Sequence, residues 1–245
     1  MDAEALFTFN LRMGDSALVL SQRLGEWCGH GPALEEDLAL ANTALDLLGH
    51  ARLWLSLAGE VEGRGRDEDQ LAFLRDAGEF RNLLLVEQPN GDYAATMARQ
   101  YYYDAWHHPL LQQLAGAAEP RVAAIAAKAA KEAAYHLHRS REWVIRLGDG
   151  TEESHRRMQA AADELWPFTG EMFAADDADR ACADLAALRP GWQAEVAATF
   201  ARATLTLPAS AWMPQGGKQG VHTEKLGYIL AEMQFLQRAY PGERW

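Results

Sequence analysis

Between Leu34 and about Glu60 the apolar residues fall at helical spacing twice over. Leu34, Leu38, Ala41, Leu45, Leu48 and Leu55 make one stripe, and Leu40, Ala44, Leu47, Ala51 and Trp54 make another beside it. A helix at the edge of a core needs only one apolar stripe, so two adjoining ones predict a helix that is mostly interior. Such a helix needs other helices around it, and the rest of the chain is written in the same idiom. Ala, Leu, Arg, Glu and Gln dominate, and all are strong helix formers. No alternating apolar run bounded by turn residues marks a strand. The predicted fold class is all-α. A single domain over residues 1–245 is expected, because no Ser-, Gly- or Pro-rich linker and no repeat of solenoid period divides the chain.

Local signals set the predicted boundaries. The first helix runs from about Glu4 to Trp27, and Gly29-His30-Gly31-Pro32 breaks it. Pro32 suits the first position of the next helix, where its missing N–H costs nothing. A shorter helix spans about Asp67 to Phe80. Gln88-Pro89-Asn90-Gly91-Asp92 is a turn, followed by helices at about Tyr93–Ala115 and Pro120–Gly148. Thr151 is placed to cap a helix reaching about Phe173, with Glu152 and Glu153 in its first turn. Asp176-Asp177-Ala178-Asp179 reads as a break before helices at about Arg180–Leu188 and Gly191–Leu205. Pro208–Gly220 reads as a loop, and a last helix spans about Thr223–Ala239. The simplest architecture is one helical bundle with extra C-terminal helices.

Charge and cysteine usage exclude several functions. With 23 basic and 35 acidic residues the net charge is −12, which opposes a nucleic-acid partner. The two cysteines, Cys28 and Cys182, have neither metal-type nor disulfide-framework spacing, and a reduced cytoplasmic setting is expected. Met1-Asp2-Ala3-Glu4 lacks the basic-then-apolar pattern of a signal peptide. No apolar run of about 18 residues is present, so no membrane span is expected.

His50 and His136 each fall within a predicted long helix. A four-helix di-iron protein needs Glu-x-x-His on two helices, because i and i+3 project inward together, plus a Glu from each of the other two. Here the residues three upstream are Leu47 and Ala133. Asp46 and Glu132 lie four upstream, where two readings compete. One is a metal site of altered spacing. The other, which the residue types favour, is a histidine beside an acid inside a bundle, since imidazoles without carboxylates hold hard iron poorly. Asp104-Ala105-Trp106-His107 has i, i+3 spacing once, and reads as a buried polar contact beside Tyr101-Tyr102-Tyr103. Cys28 has no orienting partner for nucleophilic catalysis, and no catalytic residue is assigned. Lys218 in Gly216-Gly217-Lys218-Gln219-Gly220 could meet a phosphate with help from backbone N–H groups. The spacing is not that of a P-loop, and a tight surface loop is the simpler reading.

Several segments together carry a resemblance. They are Leu20-Ser21-Gln22-Arg23-Leu24-Gly25-Glu26-Trp27-Cys28-Gly29-His30, Asp37-Leu38-Ala39-Leu40-Ala41-Asn42, Asn82 to Gly91, Ala98-Arg99-Gln100-Tyr101, Lys131 to His136, and Gly216 to Gln237. His222-Thr223-Glu224-Lys225-Leu226-Gly227 is the most specific. The chain resembles the PaaC subunits of ring 1,2-phenylacetyl-CoA epoxidases, a branch of the ferritin-like superfamily, over nearly its whole length. The resemblance implies a ferritin-like four-helix bundle. It also implies a partner of the same fold, the catalytic PaaA subunit, which carries the di-iron centre, and a separate reductase that supplies electrons. It puts Leu47 and Ala133 at the glutamate positions and His50 and His136 at the histidine positions. The function it implies is a structural subunit of the complex that binds no cofactor of its own. Two alternatives stay open. One is an independent metal-dependent oxygenase using Asp46, His50, Asp104, Glu132 and His136. The other is an accessory acyl-CoA-binding subunit using Lys218. A homodimer of the isolated chain is also left open.

Overall fold

The structure is a computed structural model that describes residues 2–243. Its helices begin and end at recognisable signals. α1 (Ala3–Gly25) starts where Asp2 accepts a hydrogen bond from the Glu4 N–H at 3.3 Å, and α2 (Leu34–Glu62) ends on left-handed Gly63. Only a short segment joins them, so they pack as antiparallel neighbours. Phe9 meets Trp54 edge-on, with centroids 6.4 Å apart. Gly14 lies so near Leu55 that an added Cβ would sit 2.7 Å from that side chain. α1 is buried on almost every side.

The expectation that α2 is mostly interior needs correction. Its second stripe is covered: Leu40, Leu47, Ala51 and Trp54 are all buried. The first stripe is largely open, with Leu34 72%, Leu38 56%, Leu45 64% and Leu48 43% exposed. Pro32 also lies outside the helix, because Ala33 is the cap and the Gly31 N–H is taken by the Asp37 carboxylate at 3.0 Å.

The expected helix at 67–80 is a short α3 (Glu68–Phe73) followed by a 3-10 turn at Ala77–Glu79. Arg75 is the reason. Its guanidinium turns inward to ion-pair with buried Asp15, donates to the Glu79 carbonyl at 3.0 Å and lies 4.4 Å over the Phe80 ring. These residues, up to Gln88, form one compact unit together with those from Gly216 onward.

The second unit spans Pro89–Gln215. α4 (Tyr93–Leu114) is capped by Asp92, which accepts from the Ala95 N–H at 3.0 Å. α5 (Pro120–Gly148) opens on its proline. α6 (Glu152–Leu165) is capped by Thr151, then tightens into a 3-10 turn, Trp166–Phe173, at Pro167. Asp176 caps a helix rather than breaking one, giving α7 (Asp177–Arg180). The expected helix at 180–188 is therefore absent. α8 (Leu185–Arg202) starts instead at the Asp184 cap. Tyr102 anchors this core: its ring lies 5.9 Å from Trp166, 5.9 Å from Trp192 and 6.2 Å from Phe200, and its hydroxyl donates to the Ala162 carbonyl at 3.2 Å.

In the first unit the expected last helix is divided into α9 (Glu224–Met233) and α10 (Phe235–Ala239). At the division Gln234 donates to the carbonyls of Ala72 and Arg75 at 3.0 and 2.9 Å. The fold is all-α and ferritin-like, with no strand among the described residues.

Candidate functional site

Leu47 and His50 share the buried face of α2 in the first unit, and Ala133 and His136 share the buried face of α5 in the second. The acids one turn upstream, Asp46 and Glu132, are only half-buried on the flanks. At both positions where a chelating carboxylate would have to point inward, the chain has a fully buried hydrocarbon side chain with no donor atom.

Asp104 is the one buried acid of the set. It sits on α4 and accepts from Gln100 Nε2 at 2.7 Å and Ser140 Oγ at 2.8 Å. Burial pushes its pKa up to about 7, against the hydrogen bonds from Ser140 and Gln100 that favour the charged form. Both of its oxygens are committed to these donors. His107, one turn on, is buried with its ring 4.8 Å from Tyr103. The Tyr103 hydroxyl is itself buried without a hydrogen-bond partner among the described residues. Among the described residues no group of three or more His, Cys, Asp or Glu could hold a metal ion. The donor set at these positions does not fit a di-iron centre.

No activated cysteine replaces it. Cys28 is exposed, and burial pushes the half-buried Cys182 thiol up to about 11. Lys218 is 4% exposed rather than on a surface loop. Its carbonyl accepts from Arg12 at 3.4 Å, and a Cβ on Gly220, where φ is +83°, would lie 2.2 Å from the Gly78 carbonyl. The 216–220 loop is thus pressed against the 3-10 turn and α1.

Sequence reasoning missed the most ordered polar cluster of the first unit. Glu87, fully buried, accepts from Asn82 Nδ2 at 3.0 Å, the Thr223 N–H at 2.7 Å and His222 Nδ1 at 3.0 Å. The other His222 nitrogen donates to the Phe80 carbonyl at 3.0 Å. Both ring nitrogens face acceptors, so the protonated ring, which donates from both, fits the site, and these contacts hold the His222 pKa above its ordinary value. The available signal was that Asn82, Glu87 and His222 all lie in segments that carried the resemblance. Their spacing of 135 residues between Glu87 and His222 hid the contact.

These features define an all-α, ferritin-like protein in which fully buried Leu47 and Ala133 precede the buried histidines His50 and His136 by three residues. A family model described as phenylacetic acid catabolic protein, PaaA_PaaC, matches residues 1–245. The chain belongs to that family. It is 56% identical over 246 residues to the C subunit of the 1,2-phenylacetyl-CoA epoxidase of Escherichia coli (strain K12), an alignment covering 98% of this chain and 99% of that protein.

Proposed function

We propose that the chain is the non-catalytic structural subunit of a multicomponent phenylacetyl-CoA epoxidase. It packs with the di-iron catalytic PaaA subunit and supports it in a cytoplasmic assembly that also takes electrons from a reductase. The observation that carries this reading is the pair Leu47 and Ala133, both fully buried where a working site needs carboxylates. The likeness to a protein that is itself one subunit of the epoxidase supports membership of such a complex. The chain binds and positions protein surfaces; oxygen insertion belongs to its partner.

The test is co-expression with the catalytic subunit, with the metal content of this chain measured alone after growth in iron-replete medium. The expected result is a stable complex, and less than about a tenth of an equivalent of iron on this chain, since ions with poor ligand sets do not survive purification. Failure to associate would sink the reading. So would one or two equivalents of iron lost on His50→Ala.

A further inference from the structure

The open stripe of α2 runs along its outer side, beside the buried face. Leu34, Leu38, Leu45 and Leu48 follow one another over about 21 Å of helix, at 1.5 Å per residue. Isolated exposed leucines need no explanation, but a contiguous helical row does. Beside Leu45 and Leu48 the row opens into a groove of about 370 Å³ floored by Leu18, Leu55 and Phe73. Row and groove together form a ridge with a hole, the relief that a second helix packs against. Acids surround it. Glu35, Asp37 and Asp46 flank the row, Glu68 and Asp69 edge the groove, and Arg52 is the one Arg or Lys on α2. Arg52 is held 3.5 Å from Glu68. Burial, with a smaller push from Asp67 and Glu68, holds the Asp69 carboxyl above its usual range against the pull of Arg52.

We infer that the outer face of α2, from Leu34 to Leu48 with its groove, is the docking surface for an amphipathic helix of another subunit of the complex, one whose apolar stripe is flanked by Lys or Arg. The inference rests on the structural-subunit reading and deepens it by naming the face and the chemistry of its occupant. Charge argues for this occupant over a second copy. A second copy would return the same acid rim, with one arginine per helix to set against it, on a chain of net charge −12.

The experiment measures binding of the purified full-length chain to the catalytic subunit at low and moderate salt. The variants are Leu38→Glu/Leu45→Glu, Leu45→Glu alone, Leu45→Lys, and Tyr228→Glu on α9 as an exposed apolar comparator. All the substituted side chains are exposed, so folding, checked by circular dichroism and the melting midpoint, stays intact. Each lost leucine contact and each carboxylate buried without a partner weakens binding roughly tenfold or more, so the double variant is expected to bind at least about 100-fold more weakly. Leu45→Lys is expected to lose more than Leu45→Glu does singly, Tyr228→Glu to bind as wild type, and salt to weaken wild-type binding. If wild type binds and the α2 variants bind equally well, the docking face is wrong and the structural-subunit reading survives. If wild type does not bind, that reading fails and this inference with it. If the α2 variants abolish only self-association of the chain, the occupant is a second copy and the inference is overturned.

Discussion

His222→Ala should loosen the first unit in a way that depends on pH with a definite sign. The ring donates to Glu87 and to the Phe80 carbonyl, both at 3.0 Å, and its side chain is 4% exposed. Burial opposes its charge. The hydrogen bonds to Glu87 and Phe80 and the fields of Glu87 and Asp15 outweigh burial and raise its pKa above the ordinary value. Removing it strands a fully buried Glu87 carboxylate on Asn82 and the Thr223 N–H alone, at a cost of about 3 kcal/mol. For a chain of this size that is a fall of roughly 6–12 °C in the melting midpoint, if the unit melts cooperatively. A histidine with a raised folded pKa contributes stability that is full below its unfolded pKa of about 6.5 and fades as pH climbs through the higher folded value. Urea unfolding of wild type and His222→Ala at pH 6 and pH 9 therefore should show the larger gap at pH 6. Glu87→Gln removes the carboxylate that holds the proton, and should flatten the wild-type pH dependence over the same window. A gap that is equal at both pH values, or wider at pH 9, would refute the raised pKa of His222.

Other substitutions probe the remaining parts of the argument. Asp104 changes stability in the same direction but over a lower pH window: its folded pKa of about 7 lies above its unfolded value, so the native state loses stability as pH rises from about 4 to 7. Asp104→Asn should abolish that slope and raise unfolding free energy at pH 8 by ~2 kcal/mol, read by urea titration. Gly220→Ala forces a side chain into a left-handed backbone and against the Gly78 carbonyl, and should cost about 1–3 kcal/mol and raise protease sensitivity near residue 220. Ala133→Glu restores a Glu-x-x-His spacing on α5 but buries a carboxylate at a site that is 0% exposed. It should destabilise by about 3 kcal/mol or more, and added ferrous iron should not restore the loss.

The legible parts of the fold were those decided by neighbours in sequence. The starts of α4, α5 and α6 follow from Asp92, Pro120 and Thr151, whose capping chemistry acts within one turn. The misread parts were decided from far away. α3 stops early because Arg75 is drawn to Asp15, and α9 divides from α10 because Gln234 reaches the Ala72 and Arg75 carbonyls. Neither break has a glycine or proline to announce it at Leu74 or Gln234. The candidate site divides the same way. Leu47 with His50 and Ala133 with His136 were visible because i, i+3 spacing is local, whereas the Glu87–His222 pair was not.

α2 marks the limit of pattern reading from the other direction. Apolar periodicity reports that a face is adapted to being covered; it carries no information on whether the cover belongs to the same chain. The inner stripe, with Leu47 and Trp54 fully buried, found its cover within the protein. The outer stripe has the same helical spacing and more leucines, yet stands open at Leu34, Leu38, Leu45 and Leu48. If that row were only tolerated surface, replacing Leu38 and Leu45 with glutamate would be silent in the assembly as well as in the isolated chain. A docking face predicts the opposite split: near-zero change in the melting midpoint alone, within about 0.5 kcal/mol as for other exposed positions, and a large loss only when the partner is present. That split separates a helix patterned for its own core from one patterned for a complex.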